Sequence, residues 1–220
     1  MKANRKHKDR RIDRTRRALR QVLLDLIAEE GYADITVEEL TARAGVSRAT
    51  FYLHYRDKED LLLDYLSELA DEKVQALADF NLADWGKPEH LGAPGMPPIQ
   101  PFLDAFQHVA EYADLYRLVM RSEGATRLHI GHIISSSVNA FLQTRLLNQN
   151  QDLHLQVSPE FLSAYFSGAF LGTITWWLEE ASEVSPEEVT LQFQRMLFPG
   201  LRRALGLENQ LGAQQPASRD

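Results

Sequence analysis

Cysteine and long apolar runs are both absent from this sequence of 220 residues. Without cysteine, the chain forms no disulfide, no thiolate zinc site and no thiol-based redox sensor. No run reaches the roughly 18 apolar residues that cross a membrane, and no apolar signal-peptide core follows the polar N-terminal segment. We therefore expect a cytoplasmic protein without a membrane partner.

Sequence signals of catalysis and cofactor binding are missing as well. The chain has no phosphate-binding glycine loop, no nucleophile elbow and no pair of acidic residues spaced for acid–base chemistry. The sequence therefore predicts a protein that is not an enzyme and that needs no cofactor. Apolar residues make up 44% of the chain, which is enough to bury a substantial core.

Positive charge is scarce overall but concentrated at the front. The net charge is −7, yet residues 1–20 alone carry ten Lys or Arg against two Asp, so the remaining 200 residues carry −15. Electrostatic attraction is screened within about 8 to 10 Å at ordinary salt, so an acidic rear does not cancel a distant basic front. Only the front is expected to attract nucleic-acid phosphates.

The segment from Thr36 to Lys58 has the punctuation of two short helices joined by a tight turn. Thr36, followed three residues later by Glu39, predicts a capping box at the start of the first helix. Gly45 suits the positive φ of a helix end, and Ser47 is placed to cap a second helix. This spacing is typical of a helix-turn-helix, whose second helix, here called the reader helix, lies in the DNA major groove.

The reader helix carries side chains suited to DNA contact. Arg48 suits guanine or a phosphate, the Thr50 methyl suits thymine, and tyrosine hydroxyls suit phosphate oxygens. Lys58, near the start of the following helix, suits a further phosphate, and ordinary surface polarity is the alternative for each residue. The predicted DNA-binding residues are Thr36, Ser47, Arg48, Ala49, Thr50, Tyr52, His54, Tyr55 and Lys58.

The residues before the helix-turn-helix divide into an arm and a helix. Residues 1–10 are so basic and so poor in apolar residues that we predict a disordered arm, which either is simply solvated or follows DNA phosphates. From about Asp13 to Glu30, apolar residues recur at helical spacing and predict an amphipathic helix ended by Gly31. Its arginines at 14, 16, 17 and 20 are placed so that some of them point at DNA.

Residues 11–62 resemble the DNA-binding domain of the TetR family of transcriptional regulators. The resemblance rests on Thr36, Leu40, Ala44-Gly45-Val46-Ser47, Thr50-Phe51-Tyr52, His54-Tyr55 and Lys58, in that order and spacing. Tyr55 stands where the family more often has phenylalanine. The resemblance implies an all-α protein that binds a palindromic operator in double-stranded DNA as a homodimer, with a variable C-terminal domain. The helix-turn-helix domain is then residues 11–58, and residues 59–205 form a helical regulatory and dimerisation domain.

The second domain is predicted from helical periodicity and caps. Helices are expected over residues 59–83, 102–112, 115–122 and 125–147, with a proline- and glycine-rich loop over residues 84–101. Ser158-Pro159 and Ser185-Pro186 each predict the start of a long helix. The chain thus has about nine helices, followed by a disordered tail over residues 206–220.

The last two helices are the predicted dimer interface. The helix from Phe161 to Ala181 is apolar around much of its circumference, and Ala164, Gly168 and Gly172 form a stripe that allows close helix approach. Such a helix is expected to pack against its own domain and against a twin subunit. The family resemblance implies the same interface, through residues 158–205.

Residues on the middle and C-terminal helices are candidates for an effector cavity, with core packing as the alternative. They are Phe102, Phe106, Tyr112, Tyr116, Met120, His129, Phe141, Tyr165 and Trp176. His129 and His132 lie three apart, but no carboxylate at suitable spacing completes a metal site, so no metal is predicted. His108 is too isolated in the sequence to support a prediction.

Three functions remain open at this point. The leading hypothesis is a homodimeric repressor that leaves its operator when a small-molecule effector binds the second domain. The second keeps the DNA-binding front but makes the second domain a docking surface for another protein, with no ligand cavity. The third is an enzyme that uses His129 and His132, which would require a converging carboxylate.

Overall fold

The computed structural model describes residues 2–77, 97–121, 125–148 and 155–206, and every regular element in those ranges is a helix. The helices are α1 (Lys2–Glu30), α2 (Val37–Ala44), α3 (Arg48–Tyr52), α4 (Lys58–Ala76), α5 (Gln100–Glu111), α6 (Ala113–Arg121), α7 (Ala125–Asn148), α8 (Pro159–Glu180) and α9 (Pro186–Ala204). The all-α prediction of about nine helices is confirmed. No helix among these residues is long and apolar enough to cross a membrane.

The helix starts follow the predicted caps. Side-chain oxygens of Thr36, Ser47 and Asp57 each accept a hydrogen bond from the backbone amide three residues on, at 3.2, 3.0 and 2.8 Å. Ser185 forms a complete capping box with Glu188, at 3.2 and 3.3 Å. Gly45 ends α2 with φ +64°, a conformation that would strain a residue with a side chain. Gly45 and the Ser47 cap thus end α2 and begin α3 within three residues.

The first helix is longer than the sequence predicts. Residues 2–10, expected to be a disordered arm, are the first turns of α1. Lysine and arginine are good helix formers, and the arm contains neither proline nor glycine, so it extends the amphipathic helix that follows it. Prediction from charge alone overlooked this propensity.

The loop and tail predictions fall mostly outside the described residues. Within residues 84–101, only 97–101 are described, and α5 already begins at Gln100, with Pro101 in its first turn. Of the tail, only Gly206 is described, and residues 207–220 lie outside.

The second domain packs around α7 and α8. Five phenylalanine rings from α5, α8 and α9 contact one another with centroid distances of 5.3 to 6.2 Å: Phe102, Phe106, Phe166, Phe170 and Phe193. On the other side of α8, a Cβ placed on Gly131 of α7 would lie 3.4 Å from the Leu171 side chain. The Ser167 hydroxyl donates to the Gly131 carbonyl at 3.0 Å, and this contact holds the two helices close together.

Candidate DNA-reading surface and ligand cavity

The outer side of α3 presents polar side chains to solvent. The side chain of Arg48 is 60% exposed, and its nearest acidic partner, Glu38, is 3.8 Å away. Ala49 is exposed too, whereas Thr50 is partly buried, and its hydroxyl lies 2.8 Å from that of Ser47. Since Phe51 is fully buried beneath the helix, the polar side is held facing outward. Arg48 is therefore free to contact a base or a phosphate.

The exposed surface continues past the end of α3. Tyr52 is 52% exposed and Leu53 80% exposed, while His54 is partly buried. Leu53 was not among the predicted DNA-binding residues because a leucine in a short helix usually signals core packing. The sequence feature that could have identified Leu53 is its position directly after Tyr52, on the opposite side of the helix from the apolar residue Phe51. A large apolar side chain here suits a thymine methyl group or a sugar.

Tyr55 does not present its hydroxyl to DNA as predicted. The residue is only 4% exposed, and its hydroxyl donates to Asp64 Oδ2 at 2.7 Å. The Tyr55 hydroxyl oxygen in turn accepts a hydrogen bond from Arg16 Nε at 3.2 Å. Burial, followed by the hydrogen bond to Asp64, raises the pKa of Tyr55. The hydroxyl of Tyr55, which phenylalanine would lack, thus links α1 to α4.

Asp64 is the centre of this polar junction. Besides Tyr55 and Arg16, it binds Arg20, whose Nη2 donates at 2.6 Å and Nε at 3.1 Å. Burial raises the pKa of Asp64, but hydrogen bonds from Tyr55 and Arg20 and the two arginine charges outweigh it and hold the pKa below its usual range. Arg16 and Arg20 are therefore engaged within the protein, whereas the sequence left them available to DNA.

Lys58 also has a different role from the predicted phosphate contact. Its ammonium donates to the carbonyls of Tyr32, Ala33 and Ile35 at 2.9, 2.8 and 2.8 Å. It also lies 4.7 Å from the centre of the Tyr32 ring. An ammonium has three N–H donors, and all three are used. Lys58 thus binds the connection between α1 and α2 to the start of α4.

A cavity of about 90 Å³ lies between α4, α5, α7 and α8. Its lining is almost entirely apolar, with Leu66, Leu69 and Val74 of α4 facing Ile130, Ile134 and Ile174. Lys73 is the one charged side chain among the described lining residues. Such a mostly apolar hollow with few polar groups is typical of small-molecule sites.

The polar end of the cavity is formed by His108, which the sequence did not single out. The Tyr65 hydroxyl lies 2.6 Å from His108 Nε2, and the Tyr116 hydroxyl lies 3.1 Å from Nδ1. Tyr112 adds a ring contact at 4.8 Å. Burial, and next the charge of Lys73, lowers the pKa of His108 to about 4, so the imidazole is neutral at neutral pH.

The structure brings together only part of the predicted cavity set. Phe102 and Tyr116 line the cavity, and Tyr112 touches His108 behind it. Phe106 and Phe141 are buried in the core, and Met120 lines a separate groove between α7 and α8. His129, Tyr165 and Trp176 are exposed at the surface, away from the cavity. A helix's sequence shows which residues are apolar but not which neighbour each one faces.

His129 and His132, the pair on which the enzyme hypothesis depends, have no carboxylate converging on both of them in the described part of the chain. His129 and His132 are both exposed, and His132 lies 3.5 Å from the Ser136 hydroxyl of its own helix. Among the described residues, no group of three or more His, Asp or Glu is placed to hold a metal ion.

One face of α8 and α9 leaves large apolar side chains in solvent. Phe161 is 62% exposed, Tyr165 57%, Trp176 39% and Met196 80%. Tyr165, Trp176 and Met196 line one shallow groove between the two helices. A contiguous exposed apolar surface of this kind is characteristic of protein–protein contacts.

Comparison with known proteins assigns both halves of the chain. Residues 20–65 match the family described as bacterial regulatory proteins, tetR family, and residues 98–199 match a transcriptional regulator C-terminal region. The HTH-type transcriptional regulator YxbF of Bacillus subtilis is 29% identical over 198 residues, which cover 86% of this chain and 46% of YxbF. The chain therefore spans less than half the length of this curated relative.

Solved structures share the fold. The fatty acid degradation regulator FadR of Bacillus halodurans has a TM-score of 0.54 at 18% identity, with 84% of this chain and 98% of that chain covered. FadR of Bacillus subtilis, in complex with stearoyl-CoA, has a TM-score of 0.52 at 17% identity, with 83% and 97% covered. At these identities the likeness concerns the fold alone.

Proposed function

Because the chain belongs to the TetR family of bacterial transcriptional regulators, we propose that it is a homodimeric repressor that a small molecule releases from a palindromic operator. The family consists of DNA-binding regulators rather than enzymes. The operator, the dimer and the effector are the parts proposed, and separate features of the molecule support each of them.

The DNA-reading part rests on one observation: α3 is capped and anchored from below while its outer side is free. Phe51 and the Ser47 cap hold the helix, and Arg48, Tyr52 and Leu53 project from it. Five helical residues contact only a few base pairs, which is too few for a useful preference over non-specific DNA. Two copies reading half-sites about 34 Å apart supply that specificity.

The exposed apolar face of α8 and α9 supports the dimer. Phe161, Tyr165, Trp176 and Met196 would be buried if the same face of a second copy packed on them. Ala164, Gly168 and Gly172, the predicted small-residue stripe, line the separate groove between α7 and α8, and a Cβ on either glycine would meet nothing within 4 Å. All three small residues are exposed, so this stripe is also uncovered in the single chain and leaves room for a partner helix.

The cavity supports effector sensing, because it shares α4 with the DNA-binding domain. Leu66, Leu69 and Lys73 of α4 line the cavity, and Asp64 of the same helix binds α1 and Tyr55. A ligand that pushes on α4 would shift α1 and α3 together and change the distance between the two reader helices. FadR of Bacillus subtilis, which shares the fold, binds stearoyl-CoA, and this supports a ligand site in the second domain.

The docking alternative is less well supported. It predicts a solidly packed second domain without a cavity, whereas a cavity is present between α4, α5, α7 and α8. The exposed face that docking would use is the one that a twin subunit covers in the proposed dimer.

Selection of bound sequences from random DNA tests the proposal. We expect an inverted repeat with half-site centres one helical turn apart, and a sedimentation mass of two chains, both free and on DNA. Selected sites without twofold symmetry, or a monomer at micromolar concentration, would contradict it. A reporter driven by the selected site then shows the sign of regulation: repression predicts higher expression when the gene for this chain is deleted.

A further inference from the structure

The hydrogen-bonded chain Tyr65–His108–Tyr116 has more donors than it uses. Each phenol carries one O–H, and a neutral imidazole carries one N–H, so the chain has three donors. The two hydrogen bonds, at 2.6 and 3.1 Å, use two of them. The 2.6 Å distance at Nε2 fits a bond that the Tyr65 hydroxyl donates, and the 3.1 Å distance at Nδ1 fits a bond that the ring N–H donates. The Tyr116 hydroxyl then accepts from His108 and keeps its own proton. Neither hydroxyl has another hydrogen-bond partner among the described residues.

An unused donor in this position is costly unless a ligand or water accepts from it. Tyr116 is 9% exposed, and both it and His108 line the apolar cavity. A buried hydroxyl donor without an acceptor loses the hydrogen bond that it makes with water in the unfolded chain, and this destabilises the fold. The cavity therefore has a built-in preference for a molecule that brings a hydrogen-bond acceptor to this end.

Lys73 adds a charge to the same cavity. Its side chain is 26% exposed, and its one ion-pair partner among the described residues is the neighbouring Glu72, 3.7 Å away and 70% exposed. At 3.7 Å this is an ion pair without a hydrogen bond, and exposed pairs of this kind contribute little. The ammonium therefore keeps donors available to an anion, and the remaining described lining is apolar except for His108 and Tyr116.

We propose that the cavity binds a ligand with an apolar body and a single carboxylate-like anionic head, which Lys73 and the spare phenolic proton of the Tyr65–His108–Tyr116 chain hold. The inference rests on the proposed sensing function and adds the chemical class of the effector. An anion satisfies the ammonium and the phenol at once, whereas a neutral head satisfies only the phenol. An apolar molecule without a head leaves both unsatisfied.

Calorimetric titration of the full chain with butanoate and with 1-butanol, which suit a cavity of about 90 Å³, tests this selection. The two probes have the same carbon chain, so the ratio of their Kd values reports the head group. We expect butanoate to bind at least about tenfold more tightly, since hydrogen bonds to charged groups exceed neutral ones by that order. Lys73→Met should bring the ratio close to one. Tyr116→Phe should lower it part of the way, because the phenol binds a charged acceptor more strongly than a neutral one.

Tyr112→Phe is the matched control, because its ring also contacts His108 but its hydroxyl lies outside the chain of hydrogen bonds. We expect it to keep the wild-type ratio. A purely structural role for Tyr116 would weaken both probes equally and leave the ratio unchanged. Lys73→Met gives an independent reading if Tyr116→Phe folds poorly, as judged by circular dichroism.

Two results would overturn the inference: no binding of butanoate, or a ratio of Kd values that is the same in the wild type and in both variants. Operator affinity measured in the same samples separates this inference from the proposed function. If butanoate binds with the expected preference but leaves operator affinity unchanged, the ligand class stands and the release mechanism is wrong.

Discussion

Replacing Lys58 with methionine removes one ammonium and keeps the unbranched side-chain stem. In the structure this ammonium donates three hydrogen bonds to backbone carbonyls at 2.8 to 2.9 Å and lies 4.7 Å from the Tyr32 ring centre. Bonds to charged donors contribute about 1.5 to 3 kcal/mol each, but carbonyls near the surface recover water when the donor is lost. We therefore expect Lys58→Met to lower the free energy of unfolding by about 2 to 4 kcal/mol.

Urea unfolding followed by circular dichroism measures this loss, and thermal unfolding should show a decrease in Tm of roughly 5 to 15 °C. DNA binding gives the complementary measurement. Because the ammonium is already saturated by the protein, the slope of log affinity against log salt concentration should equal that of the wild type. The slope falls by about 0.9 when a phosphate contact is lost.

Arg48→Ala is the matched control, because Arg48 is exposed on α3 and has only a distant partner, Glu38. It should leave unfolding unchanged and weaken operator binding by about 1 to 3 kcal/mol, with altered base preference. If instead Lys58→Met unfolds like the wild type and reduces the salt slope by about one phosphate, the assignment of the Lys58 ammonium to these backbone carbonyls is wrong.

Three further predictions concern the junction, the cavity and the dimer. Asp64→Asn should destabilise the protein by about 2 to 4 kcal/mol, because Arg16 loses its carboxylate partner and Arg20 keeps only Glu68. Since the folded pKa of Asp64 is lowered, its contribution to stability is present above the usual carboxyl range and is lost as pH falls. The advantage of the wild type over Asp64→Asn in urea should therefore shrink toward pH 3. His108, with its pKa lowered to about 4, stays neutral in the fold while the unfolded chain takes up a proton below about 6.5. Between pH 6.5 and 4, the free energy of unfolding of the wild type should therefore fall by about 2 kcal/mol more than that of His108→Gln. This figure allows for the partial exposure of His108. Equal pH profiles of the two proteins would contradict the burial of His108. Met196→Glu should weaken self-association by at least about a hundredfold, measured by sedimentation, because it places a charge in the proposed interface. Tm at high dilution should stay unchanged, because Met196 is 80% exposed in the single protomer. An unaltered dimer would exclude this face as the interface.

Helix boundaries near caps were predicted well because caps are local. The Thr36, Ser47 and Ser185 hydroxyls each bind an amide three residues away, a distance that the sequence alone defines. The arm was predicted less well. Its charge density suggested disorder, but a charged segment that continues a helix without proline or glycine stays helical through residues 2–10.

Side-chain roles were harder to predict where a polar group has partners far away in the chain. Tyr55 and Lys58 have the residue types and spacing of DNA contacts, yet their donors bind residues 9 and 23 to 26 positions away. Amphipathic spacing shows that a side chain is polar and near a surface. It does not show whether that surface meets solvent or another helix.

The sequence by itself determined the all-helical architecture, the helix-turn-helix and its family, because periodicity, caps and a short motif depend on residues within a few turns of one another. Only the tertiary structure decided the cavity and the junction. His108 is isolated in the sequence, and it becomes the polar centre of the cavity because α4 and α6 bring Tyr65 and Tyr116 to its two nitrogens. Asp64 likewise acquires its partners when α1 packs on α4. Contacts between distant helices depend on how their faces pack, and periodicity within one helix leaves that choice open.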